Sequence, residues 1–170
     1  RLDVASYNLM EDAAAELSRD PLFALHMGEF SDPQTWSLPG AMMLHCRNLG
    51  EAFAKAAEYQ AIIGTVLRTR MKLRGLRAVV LLEPHPGAPE LSRHCAESAF
   101  SAMVAMMRTL AGRDIRPLEV RFSAESPAGP LEEYERVFRC PVSFGAGENS
   151  VALDISTGRI RVPEAKPELL

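Results

Sequence analysis

The sequence predicts an α+β fold in which N-terminal helices pack with a mainly antiparallel sheet, the later elements running in β-β-α-β-α-β-β order. Three observations predict it. Apolar residues up to about residue 64 recur at helical spacing. From Thr65 onward, short alternating or continuously apolar runs are separated by turn residues and by one long helical stretch. Two strand pairs are joined by tight glycine-containing turns, which favours antiparallel pairing with helices over one face.

The elements follow in order. Leu2 to Ser18 carries Leu9, Met10, Ala13, Ala14 and Leu17 on a helical stripe, and Asp20-Pro21 stops it. Leu22 to Met27 reads as a short helix closed by Gly28, and Leu38 to Cys46 as another after the Asp32-Pro33 turn. Asn48 is an N-cap for a helix with Leu49, Phe53, Ala56, Ala57 and Ile63 on one face, ended by Gly64. Thr65 to Leu73 and Leu76 to Glu83 form a hairpin about Arg74-Gly75. The longest helix, Glu90 to Ala111, turns Leu91, Cys95, Ala99, Met103, Met106 and Leu110 inward and ends at Gly112, leaving Glu97 and Arg108 as exposed charges. Leu118 to Ala124 alternates as a half-buried strand with Leu118, Val120 and Phe122 inward. Leu131 to Phe138 is a short helix, and Val142–Phe144 with Ser150–Ile155 read as a second hairpin about residues 145–149.

Composition narrows the function. The chain has 170 residues, room for one domain at roughly 150 residues each. Basic residues number 19 against 22 acidic, a net charge of -3, which is not the balance of a domain that grips nucleic acid by itself. One Trp, three Tyr and seven Phe are too few for stacking platforms. Cys46, Cys95 and Cys140 contain no C-x-x-C pair, which fits a reducing, cytoplasmic setting without a disulfide framework. No apolar run approaches the ~18 residues of a membrane span. The chain starts at Arg1 and ends in a Pro-containing tail, so it reads as a piece of a longer protein.

Enzyme signatures are lacking. There is no phosphate-binding P-loop and no G-x-S-x-G, and Gly145-Ala146-Gly147 lacks the third glycine of a dinucleotide fingerprint. The carboxylate pairs Glu132-Glu133 and Asp12 with Glu16 are spaced for helix surfaces. His45-Cys46 and His94-Cys95 point their adjacent side chains to different helix faces, a poor start for a metal site. No cofactor, metal or catalytic residue is therefore assigned. Met42, Met43, Met103, Met106 and Met107 make a methionine-rich interior, which serves either as core filler or as the wall of an adaptable pocket. Arg68, Arg70, Lys72 and Arg74 alternate onto one strand face, either a solvated face or a surface that recognises an anion.

Several blocks together resemble a known family. They are Asp20-Pro21-Leu22-Phe23-Ala24-Leu25 through Gly28, and Leu38-Pro39-Gly40-Ala41 through Asn48-Leu49-Gly50-Glu51-Ala52-Phe53 followed by Tyr59. Pro117, Val120, Phe122, Pro127, Tyr134, Phe138, Pro141-Val142, Phe144, Asn149 and Leu153 complete the pattern. In their order and spacing they resemble the amino-terminal effector domain of AraC-type transcriptional regulators, often labelled arabinose-binding-like, over residues 6–162. Ala24, where Gly is common, and Asn48, where Ser or Thr is usual, depart from the pattern.

The resemblance implies a domain that senses a small molecule, dimerises, or both. It also implies a C-terminal helix-turn-helix region, beyond this chain, that holds the DNA contacts. The sugar-binding domain of the arabinose regulator is an all-β jelly roll, whereas the helical first third here and the long helix from Glu90 are not those of a jelly roll. Residues 1–162 are thus expected to form the sensing and dimerisation domain, helical to about 64 and α/β from 65, with 163–170 opening a linker. A pocket between the helical part and the long helix would be lined by Met43, Tyr59, Phe100, Met103, Met107 and Tyr134, with Arg70 as anion partner. Such a mostly apolar wall suits an amphipathic or aromatic acid. The competing readings are a dimerisation module without a ligand and a small enzyme with no visible motif.

Overall fold

The computed structural model describes residues 3–35, 37–59 and 67–170. Among these, α1 (Val4–Ser18), α2 (Phe23–Glu29), α3 (Ser37–His45) and α4 (Leu49–Glu58) precede the sheet. Strands β1 (Leu67–Arg74) and β2 (Arg77–Pro84) follow, then α5 (Arg93–Ala111), β3 (Glu119–Arg121), α6 (Leu131–Phe138), β4 (Val142–Ser143) and β5 (Asn149–Asp154). This is the predicted α+β class with the predicted element order. No described helix is long and apolar enough to cross a membrane.

Local chemistry explains the ends. Asp3 accepts the Ser6 N–H at 2.8 Å and caps α1; Asn48 accepts the Glu51 N–H at 2.9 Å and caps α4. Ser92 caps α5 through the Cys95 N–H at 3.2 Å, and Gly112, at φ 59°, takes the left-handed turn that ends it. The expected extension of α4 through Ile63 to Gly64 lies outside the described residues.

The sheet order is β1-β2-β5-β3-β4. β1 and β2 form the expected hairpin, and β5 pairs antiparallel with both β2 and β3. The second expected hairpin does not form. β4 pairs in parallel with β3, so β3 stands between β4 and β5. The reason lies in the loop at 145–149. The Gly145 N–H bonds the Ala124 carbonyl and the Ala146 N–H the Phe122 carbonyl, while Asn149 Oδ1 accepts the Ser123 N–H at 2.9 Å. These bonds carry the chain back across β3 rather than folding β5 onto β4.

One sheet face carries Leu82, Val151, Leu153, Val120 and Val142 into a core shared with Leu25, Met43, Leu49, Phe100, Val104, Met107 and Phe138. The other face holds a small buried cluster, Val79, Leu81 and Ala152, between charged rows. The register puts Arg68, Arg70, Lys72 and Arg74 on that second face, opposite Glu83, Leu81, Val79 and Arg77. Leu118, expected inward, is exposed; Val120 and Phe122 are buried as expected.

Two helix faces differ from expectation. Leu9 and Leu17 of α1 are 71% and 85% exposed, while Val4, Glu11 and Ala15 face the protein. An alanine-rich helix has weak amphipathicity, so its inner face is set by what it meets. α5 is buried on most sides: Ala96, Phe100, Val104 and Met107 are inside as well as Cys95, Met106 and Leu110, whereas Ala99 and Met103 are half-buried. Arg108 is not a free surface charge. Its guanidinium donates to the carbonyls of Ile115 (3.0 Å), Val137 (2.8 Å) and Phe138 (3.0 Å), which ties α5 to the end of α6.

Helix α2 lies on α5 through Gly28. A Cβ there would sit 2.5 Å from Ser101 Cβ, 2.7 Å from the Ser98 carbonyl oxygen and 2.8 Å from the Ala102 nitrogen. Ser101 Oγ donates to the Leu25 carbonyl at 2.7 Å across the same contact. Gly28→Ala is therefore expected to destabilise. Overpacking of about 1–3 kcal/mol exceeds the ~1 kcal/mol gain in helix propensity. A urea midpoint at or above wild type would show that the two helices separate freely.

α2 is also clamped to α6. His26 Nδ1 meets Asp20 at 2.6 Å and Nε2 meets Glu133 at 3.0 Å, while Arg136 bridges Glu29 and Glu133. Burial draws the His26 pKa down, but the two carboxylates outweigh it and hold the imidazole above its ordinary value.

Candidate functional site

Among the described residues, the N-terminal end of α5 holds three of the five side chains with a buried polar atom that lacks a hydrogen-bond partner, the other two being Glu11 of α1 and His45 of α3. It is held in place from α1: Asn8 accepts the Ser92 N–H at 3.0 Å and donates to the Glu90 carbonyl at 2.9 Å. Arg93 and Glu97 are one turn apart, with His94 beside them. Glu97, expected at the surface, is 0% exposed.

Glu97 Oε1 accepts a hydrogen bond from the Tyr134 hydroxyl of α6 at 2.5 Å, and that hydroxyl accepts the Ala128 N–H at 3.1 Å. The other carboxylate oxygen, Oε2, lies 3.5 Å from His94 Nδ1, and Arg93 Nε is 3.8 Å from Oε1. None of these last contacts is a hydrogen bond. Glu97 Oε2, His94 Nδ1 and Arg93 Nε are all buried without a hydrogen-bond partner. Burial pushes the Glu97 pKa up to about 7, against the opposing pull of the Tyr134 hydrogen bond and the Arg93 charge. Burial and the Arg93 charge hold the His94 imidazole below its ordinary value, so it is neutral near pH 7. The Tyr134 hydroxyl is held protonated by burial and by the facing carboxylate.

An aromatic cluster adjoins this group. The Tyr134 ring meets Phe144 edge-on at 5.0 Å and Phe122 at 6.1 Å, and Phe122 in turn packs on Phe100, Phe138 and Phe144. The arrangement is a wall of rings with a proton-accepting carboxylate, a neutral imidazole and a guanidinium at its edge. It offers donors and acceptors to a bound polar group. It presents no activated nucleophile: burial pushes the nearby Cys95 thiol up to about 12.

Of the residues singled out from sequence, Phe100 and Tyr134 come together at this cluster through Phe122. Met107 and Met43 are buried in the same core, and Met103 packs against it half-buried. Tyr59 is at the end of α4 with Lys55 Nζ 5.7 Å above its ring. Arg70 is exposed on the opposite sheet face and pairs with Glu83 at 3.5 Å, so it does not join the others. Glu97, Arg93 and His94 were not singled out as site residues. A signal existed: positions 93, 97, 100, 104, 107 and 111 form one helical stripe, and Glu97 is in line with residues that are all apolar beyond it.

Two shallow depressions, of about 470 and 410 Å³, lie at the other end of the molecule. Arg159 and Arg161 line both; Arg113 lines the first and Arg47 the second.

The comparisons agree with this architecture. The family described as the arabinose-binding domain of AraC transcription regulator, N-terminal, matches residues 1–157. The crystal structure of the transcriptional regulator CdpR from Pseudomonas aeruginosa is similar with a TM-score of 0.66 and 21% sequence identity. The similarity covers 85% of this chain and 47% of that one, so the chain spans about half the length of this relative. No curated protein matches the chain.

Proposed function

Because the chain belongs to the family of N-terminal arabinose-binding domains of AraC transcription regulators, we propose that it senses a small effector and dimerises, controlling a DNA-binding region elsewhere in the regulator. The observation that supports sensing is the polar group at the head of α5. Three polar atoms there, on Glu97, His94 and Arg93, are buried without partners beside an aromatic wall. An unsatisfied buried polar atom costs about 1–3 kcal/mol. A ligand that supplies both an acceptor and a donor removes that cost, and the gain biases one arrangement of α1, α5 and α6 over another.

The effector class follows from the chemistry of these groups. A carboxylate would accept from Arg93 and His94 and a hydroxyl would donate to Glu97, while an apolar or aromatic body would have to part the packed side chains of Phe100, Met103, Tyr134 and Phe144, of which Phe100 and Tyr134 are fully buried. An aromatic or amphipathic acid has all three parts. Residues 1–162 act as the sensing unit, with 163–170 leading to the linker.

The test is a thermal-shift series with 4-hydroxybenzoate, benzoate and octanoate at millimolar concentration. At least one is expected to raise the melting temperature, and Arg93→Gln is expected to abolish the rise. A flat series for all three leaves the dimerisation module without a ligand as the better reading. That second reading has its own support in Met71, Leu73 and Leu76, which are exposed together around the β1–β2 turn. Sedimentation that gives a monomer at high concentration would remove it.

A further inference from the structure

We infer that the arginine groove beside the 3₁₀ segment Ile155–Arg159 is a second binding site, for a small polyanion such as a phosphorylated or polycarboxylate metabolite. It is distinct from the effector site at the head of α5 and does not depend on that reading.

The backbone builds the groove. Asp154 accepts the Ser156 N–H at 2.8 Å and its hydroxyl as well, which starts the 3₁₀ turn after β5. The chain then runs against the start of α4: the Leu49 N–H bonds the Ile160 carbonyl at 2.9 Å and the Val162 N–H bonds the Arg47 carbonyl at 3.2 Å. Asn48 and Arg161 face each other across this bridge. Gly50 permits the approach, since a Cβ there would lie 3.0 Å from the Gly158 oxygen. Arg47 and Arg161 are thus set on neighbouring backbones, with Arg159 two residues before Arg161. All three line the depression of about 410 Å³, and Arg113 joins Arg159 and Arg161 around the adjoining one.

The charge there is not neutralised. Among the described residues none of these four guanidinium groups has a carboxylate within ion-pair distance. The acids nearby in the chain are engaged elsewhere. Glu51 accepts the Arg47 backbone N–H at 2.8 Å, Asp154 holds the 3₁₀ turn, and Asp114 is held by Arg116 and Arg139. Glu164 and Glu168 on the tail make no ion pair with the four. Four unpaired guanidinium groups around two joined hollows, in a chain of net charge -3, run against the overall balance. Guanidinium forks bind carboxylate and phosphate oxygens in pairs. The rest of the lining is Asn48, Ser156, two prolines and the small or aliphatic residues Ala111, Ile160, Val162 and Ala165, with no aromatic ring, so charge rather than stacking selects the occupant. Several cations around a small volume call for more than one negative charge on it.

The experiment is isothermal titration of the 170-residue chain with pyrophosphate and, separately, with citrate, at about 150 mM sodium chloride. At least one is expected to bind with sub-millimolar affinity, and which of them binds assigns the phosphate or the carboxylate source. Arg159→Gln/Arg161→Gln is expected to weaken binding by at least about tenfold. Arg68→Gln/Arg74→Gln, on the basic strand face, is expected to leave it within about twofold. All of these side chains are exposed, so both variants are expected to melt as wild type does. Absence of binding by both anions overturns the inference, as does equal weakening by the two variants. Binding of duplex DNA that depends on Arg159 and Arg161, with neither small anion bound, also overturns it.

Discussion

Phe122→Ala is expected to destabilise the domain by about 3–5 kcal/mol, as truncation of a fully buried aromatic does. Phe122 has no exposed surface. Its ring packs on Phe144 at 5.2 Å, Phe100 at 5.8 Å, Phe138 at 6.0 Å and Tyr134 at 6.1 Å. Those four rings come from α5, from the middle and the last residue of α6 and from the segment after β4, so no single element can move inward to refill the space. The backbone at this residue is also fixed, because the Phe122 N–H bonds the Ser143 carbonyl and its own carbonyl accepts from Ala146. For a domain of this size each kcal/mol lowers the melting temperature by roughly 2–4 °C, so a fall of about 10 °C is expected in calorimetry. Phe122→Leu keeps most of the volume and is expected to cost less than half as much. A loss under about 1 kcal/mol for the alanine variant would mean that the ring cluster is not packed as described.

That expectation was readable before the structure, because Val120 and Phe122 alternate against Glu119 and Arg121 and only one parity is apolar. The same kind of local signal identified the caps at Asn48 and Gly112 and the turn at Gly75, each a short-range event governed by one side chain or one φ angle. Long-range pairing was not readable. The residues at 145–149 carry the composition of a hairpin turn, yet the partner of β5 is chosen by Ser123, Phe122 and Ala124 some 20 or more residues earlier. Nor was the inner face of α1 readable. Its apolar stripe at Leu9, Met10 and Leu17 is exposed, while polar Glu11 is inside, where it meets Tyr7 of its own helix and Ser98 of α5. The candidate site suffered from the same bias. A glutamate on a long helix is normally solvated, and only its alignment with Phe100, Val104 and Met107 marked Glu97 as different.

The burial of Glu97 has a consequence for pH that the variant Glu97→Gln isolates. In the folded chain its pKa is raised to about 7; in the unfolded chain it returns to the model-peptide range near 4.3. Between these two values the native state holds a proton that the unfolded state has released. Stability from this group is therefore fully present below the unfolded pKa, declines between the two values and is lost once pH passes about 7, by roughly 3–4 kcal/mol in all. His26 acts in the same direction, since its raised pKa gives stability that is lost as pH rises through the folded value. His94, held neutral by burial, acts oppositely and costs stability below its unfolded pKa. Glutamine at 97 keeps the bond from Tyr134 and never carries the charge. The variant is thus expected to match wild type near pH 5 and to exceed it by about 1–3 kcal/mol at pH 8, as read from urea midpoints across the range. Glu97→Ala, which strands the Tyr134 hydroxyl, is expected to be less stable than wild type near pH 5. If Glu97→Gln instead tracks wild type at every pH, the carboxylate is reached by water and ionises freely, and the buried polar group at the head of α5 loses its energetic basis as a binding site.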